Sequence, residues 1–147
     1  AKAARERSIY TPQMIVQGVD RVVGAKREQV LRLIAEHAAE PAPVTLELHR
    51  RGSRLLVRLA PSGPAGAGAA DVFLVRFLPG GVVQIGHGEN GGRELEYTNV
   101  VTDWSPVARW DGRSAAELEL EAPGSEEIAV IVQRERLGPV LSAAKLP

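Results

Sequence analysis

The sequence predicts an α+β chain that is mostly β, with a strand–strand–helix unit followed by an antiparallel, sandwich-like domain. Three observations carry this expectation. Apolar residues recur with period 2 over most of the chain after residue 43. One early stretch, 25–39, follows the helical period instead. The 147 residues include only two Trp, two Tyr and two Phe, so the core must be built mainly from Val, Leu, Ile and Ala, and branched residues favour strands.

The elements follow in order. QMIVQ (13–17) and DRVV (20–23) read as two short strands around Gly18, a hairpin closed by Gly24. In 25–39, Val30, Ile34 and Ala38 share a helical stripe with Leu31 and Ala35 beside it, and Glu28, Arg32 and Glu36 are i,i+4 neighbours of alternating sign. Pro41 and Pro43 end this helix, near whose C-terminus His37 complements the dipole. In VTLELHR (44–50) and RLLVRLA (54–60) apolar and polar residues alternate, with Arg51-Gly52-Ser53 as a tight hairpin.

PSGPAGAGAA (61–70) has almost nothing to pack and reads as a mobile surface loop. DVFLVRFL (71–78) is nearly continuous apolar, as a central strand would be, and Pro79-Gly80-Gly81 is expected to turn it into VVQI (82–85). A glycine-rich turn at 86–92 leads into RELEYTNVVTDW (93–104). Beyond Pro106 the expected strands are AELELE (116–121), IAVIVQRE (128–135) and PVLSAAKL (139–146). Strands this short and closely spaced suit an antiparallel sandwich. The proline pair places a domain boundary that divides the chain into 1–42 and 43–147.

Composition excludes several functions. Basic and acidic residues number 18 each, which argues against nucleic acid as a partner, because phosphate contacts want a clustered excess of Lys and Arg. With no cysteine, the chain forms no disulfide and supplies neither thiolate ligands nor thiol catalysis. No apolar run approaches the roughly 20 residues of a membrane-spanning helix.

Three motifs invite chemistry. GHGENG (86–91) spells GxGxxG, but a strand follows it where a dinucleotide site needs a helix. His87, Glu89, Asn90 and Arg93 gather in and beside that turn and form the candidate binding loop; a solvated hairpin turn is the plainer reading of the cluster. Neither His37 nor His49 adds a ligand at metal-binding spacing, so no metal or cofactor is assigned. Ser142 and Lys145 match SxxK, yet they sit in a β-type run rather than at a helix start. The alternating glutamates of 117–121 read as a solvated strand face.

Three stretches together resemble one bacterial family. YTPQMIVQGVDRVVG (10–24), GENGGRELEYTNVVTDWSPVARWDG (88–112) and AVIVQRERLGPVLSAAKL (129–146) are similar to the thioredoxin-like proteins of domain-of-unknown-function family 1223. The resemblance runs over essentially the whole chain. It implies an exported protein, periplasmic or secreted, whose thioredoxin-like first half carries a Cys-x-x-Cys pair that is absent here. It also implies that Thr11-Pro12, flanked by Tyr10, match the cis-proline position opposite that pair, where extended substrates bind. The strand–strand–helix would then close the thioredoxin-like fold. Members usually carry a basic residue where His87 stands.

Two functional readings follow. In the first, the chain is the C-terminal part of a thiol–disulfide oxidoreductase or thiol-dependent binder, itself redox-inactive because exchange needs a thiolate. A separate N-terminal fragment or another protomer would then complete the thioredoxin-like half. In the second, it is a non-catalytic module that binds a protein or peptide through a β-domain edge or the 86–93 loop.

Overall fold

The computed structural model describes residues 13–23, 26–88 and 91–146. Within them the order is β1 (Gln13–Val16), β2 (Asp20–Val23), α1 (Arg27–Ala39), β3 (Val44–Arg51), β4 (Arg54–Pro61), β5 (Ala70–Gln84), β6 (Glu94–Trp110), β7 (Ala116–Glu121), β8 (Glu127–Arg134) and β9 (Val140–Lys145). All pairing is antiparallel. β1 and β2 form a hairpin, β3-β4-β7 a three-stranded sheet and β6-β5-β8-β9 a four-stranded one.

The two larger sheets share a single core because alternate residues of each strand point the same way. Leu55, Val57 and Leu59 of β4 cluster with Val72 and Leu74 of β5 and with Ile128, Val130 and Val132 of β8. Most of these are fully excluded from water, each contributing about 1.5–3 kcal/mol through burial. Trp110 joins the cluster and donates its indole N–H to the Ser114 carbonyl at 2.8 Å, which satisfies its one polar group.

The outer faces of the sheets differ. On the three-stranded sheet Arg58 donates to Glu117 at 2.7 Å and Arg54 to Glu119 at 2.8 Å, with Glu121 3.5 Å from Arg54. The glutamates expected to be merely solvated are thus the acidic half of a cross-strand ladder. On the four-stranded sheet the outward residues include Phe73, Val75, Phe77, Ala129, Ile131 and Trp104, placed side by side by the register Phe73↔Ile131, Val75↔Ala129 and Val75↔Trp104, with Glu127 beside Phe77 and Lys145 beside Ala129.

Two local expectations are corrected. Pro79-Gly80-Gly81 makes no turn: β5 runs straight through it to Gln84, and the chain reverses at 85–93, where Ile85 N–H donates to the Arg93 carbonyl and Gly92 N–H to the Ile85 carbonyl. Proline is tolerated because pairing with β8 stops at Phe77, so no neighbour on that side needs a donor from residue 79. Opposite it, Asn99 takes a left-handed φ of 53°, and the β5–β6 register continues unshifted from Leu78↔Val100 to Gly80↔Thr98. The result is a long two-stranded arm, residues 78–84 with 94–101, reaching past the rest of the sheet.

The second correction concerns 61–70. Ala67 and Ala70 are buried, Ala67 N–H donates to the Gly112 carbonyl at 2.8 Å, and Arg134 donates to the Ala67 carbonyl at 3.0 Å. Small residues here permit close backbone contact: a Cβ on Gly112, whose φ is 73°, would stand 2.1 Å from the Gly68 carbonyl oxygen.

The small N-terminal unit has its own contact. α1 starts at Arg27, with Glu28 in the first turn against the dipole, and Val30 is buried, as is Val22 of β2. Glu40 is extended and its N–H bonds the His37 carbonyl, so the helix stops one residue before Pro41.

Candidate functional site

A cleft of about 640 Å³ lies between α1, the β1–β2 loop, the 40–43 connection and the start of β9. Its shape depends on how the β1–β2 loop docks. Gln17 and Gly18 both adopt left-handed φ, 51° and 77°, and the loop presses on β9. Val140 N–H donates to the Gln17 carbonyl at 2.9 Å, while the Gln17 side-chain amide donates to the Val140 carbonyl at 2.8 Å. A Cβ on Gly18 would lie 3.1 Å from the Gly138 oxygen and 3.2 Å from the Val140 nitrogen, so glycine serves both the turn and the approach.

The cleft wall is mostly apolar, including Val16, Val19, Ile34 and Leu141. Its polar lining comprises Gln17, His37, Glu40 and Ser142, and His37 Nε2 lies 2.7 Å from Asp20 Oδ2. His37 does stand in the last helical turn, as the sequence suggests, yet its ring is held by the first residue of β2 rather than left to the dipole alone. Asp20 fixes the ring's orientation and tautomer, leaving Nδ1 for another partner. Ser142 lines the same cleft, but no hydrogen bond joins it to His37 among the described residues, so a nucleophile relay is not assembled. The arrangement suits binding: an apolar trough with one oriented imidazole.

The residues singled out from sequence are dispersed. Tyr10, Thr11 and Pro12 lie outside the described residues, immediately before β1. Glu89 and Asn90 also lie outside them. His87 and Arg93 flank the arm's tip, both exposed, and no group of three metal-ligating side chains occurs among the described residues. The strand after GHGENG is β6, so the phosphate-binding context is absent there. Ser142 and Lys145 are both on β9, with the Lys145 ammonium 2.8 Å from Glu127 and over the Phe77 ring at 5.5 Å. The cleft itself was missed from sequence. Its signals are scattered over three elements, and only the Gln17-Gly18 pair marks the docking loop locally.

This geometry defines the class: a mostly β protein in which a two-sheet antiparallel sandwich carries a hairpin-and-helix unit at one edge. The chain belongs to the DUF1223 family of proteins of unknown function, whose model matches residues 1–133. It is similar in structure to a crystal structure of a protein from Agrobacterium tumefaciens, with a TM-score of 0.74 and 26% identity over 99% of this chain. The chain spans 65% of that protein's length. A hypothetical protein from Pyrococcus horikoshii aligns over 71% of this chain and 87% of its own at 11% identity, with a TM-score of only 0.31, and carries no argument. Comparison with curated proteins gave no match.

Proposed function

We infer that the chain is the cysteine-free, substrate-shaping part of an exported thioredoxin-like protein, periplasmic or secreted, with thiol chemistry supplied by a partner segment. The observation that supports this reading is the exposed apolar surface of the N-terminal hairpin and helix. Met14, Ile15, Leu31 and Ile34 are exposed on a two-stranded hairpin and its helix, and an isolated hairpin is marginal without further strands against it. Thr11-Pro12 would enter this hairpin at the mouth of the substrate groove, and residues 1–42 would form the closing half of the thioredoxin-like domain.

Insulin reduction by the complete protein, compared with the 147-residue chain, tests this. Turnover by the complete protein, its loss in a Pro12→Ala variant and none by the chain alone are expected. A complete protein with an intact Cys-x-x-Cys and no activity overturns the redox reading. The second reading, a non-catalytic binding module, draws support from the open edge of β6 and the exposed 86–93 turn. Peptide titration against Asn90→Ala and Arg93→Ala variants tests it; unchanged binding in both rules out the turn.

A further inference from the structure

β9 is an edge strand: it pairs with β8 on one side and with no strand on the other. The direction of its backbone groups follows from the register. Leu146 N–H donates to the Ile128 carbonyl at 2.9 Å, and pairing runs unshifted from Ala129↔Lys145 to Val132↔Ser142. Antiparallel ladders alternate, so Ser142 and Ala144 turn their N–H and C=O groups towards β8, while Ala143 turns both away. Ala143 is exposed, and neither group has a partner among the described residues.

That free edge faces the cleft beside α1. Val140, Leu141, Ser142 and Ala143 all line it, although consecutive side chains of a strand point to opposite faces. Only the edge of a strand presents successive residues to one side. At Val140 the chain itself pairs with this edge: the Gln17 carbonyl accepts from the Val140 N–H at 2.9 Å, and the Gln17 side-chain amide donates to the Val140 carbonyl at 2.8 Å. This two-point contact stops there, and the outward groups of Ala143, further along the strand, stay open.

We propose that the cleft binds an extended peptide segment, apolar and carrying a basic residue, which adds to β9 as a further strand. Three features select this occupant. The open donor and acceptor of Ala143 match the main chain of an extended peptide, which supplies both groups from one residue. Val16, Val19, Ile34 and Pro41 give its side chains an apolar wall, and the volume of about 640 Å³ is that of a ligand site. Charge completes the match. The lining contains no Lys or Arg, His37 is paired with Asp20, and Glu40 has no ion-pair partner among the described residues. A basic side chain on the peptide meets Glu40, and an acidic one is repelled. The site rests on the binding-module reading and locates it at β9, rather than at β6 or the 86–93 turn.

Fluorescence anisotropy of a labelled acetyl-Thr-Val-Thr-Val-Lys-Val amide, titrated with the 147-residue chain, tests the proposal. Saturable binding below about 1 mM is expected. Two further peptides carry N-methyl groups on alternate amides, in one phase or the other. One of them, whose blocked edge faces β9, should bind at least roughly tenfold more weakly than the parent. Ala143→Pro removes the outward N–H at a position where an edge strand tolerates proline, and should weaken binding at least roughly tenfold with the circular dichroism unchanged. Should that variant fail to fold, the methylated peptides decide on the native chain. Glu40→Lys should weaken binding by about two- to fivefold. Absence of saturable binding overturns the proposal, as do equal affinities for the parent and both methylated peptides. Binding that survives Ala143→Pro and is lost in Arg93→Ala also overturns it, while leaving the binding-module reading in place at the turn.

Discussion

The two outer faces of the sandwich rest on one core and have opposite chemistry. Over the three-stranded sheet, Arg54 and Arg58 reach across to Glu117, Glu119 and Glu121. Over the four-stranded sheet, Phe73, Val75, Phe77 and Trp104 form an apolar strip, with the Lys145–Glu127 pair crossing it at Phe77. Strand alternation alone would make both faces solvent-facing and polar. On the second sheet Val75 and Phe77 are themselves buried, with the Lys145–Glu127 pair over Phe77, while Phe73 and Trp104 pack beside them.

Substitution at the shared core should produce the largest effect. Leu55→Ala removes a fully buried side chain between the sheets and should cost about 3 kcal/mol in urea unfolding. Emission from Trp110, within the core, and Trp104, on the apolar face, should change together; separate transitions would break the view that both faces stand on one cooperative unit. A smaller loss, about 1 kcal/mol, is expected for Trp104→Ala from the tilted pair with Phe73 and its partly buried area.

On the charged face, Arg58→Ala should leave the urea midpoint nearly where it was, because exposed pairs contribute little. A clear drop there would show that the ladder is structural. The smallest expected effect is with pH. The hydrogen bond to Glu117, and then its charge, raises the Arg58 pKa above its ordinary value; Glu119 does the same for Arg54, with Glu121 adding to it. A group raised on folding contributes fully below its unfolded value and loses that contribution only as pH rises through the folded one. The difference between the native chain and Arg58→Ala should therefore be the same at pH 7 and pH 10, as thermal melts would check.

Much of this architecture is legible in the sequence. The helix at 27–39, the hairpin of β3 and β4, and strands β7, β8 and β9 all lie where periodicity predicts them, because each is specified by its own alternation and by nearby Gly or Pro. The failures share a cause. Pro79-Gly80-Gly81 has turn chemistry but a strand geometry, permitted by where β8 happens to stop. The 61–70 segment has loop chemistry but is anchored by Gly112 and Arg134, far away in sequence. Neither partner can be read from the local residues.

The sequence by itself determines the mostly β composition, the alternation that gives each sheet an inner face, the family, and the absence of a thiol in this chain. Tertiary structure alone decides which outer face carries a charged ladder and which an apolar strip, since that depends on register between strands as distant as Arg58 and Glu117 or Val75 and Trp104. It likewise decides the cleft, where Asp20 meets His37 and Gln17 meets Val140. Side-chain period is local and written into each strand; the neighbour a side chain meets is set by chain pairing, whose register joins residues more than sixty apart in sequence, such as Arg54 and Glu121.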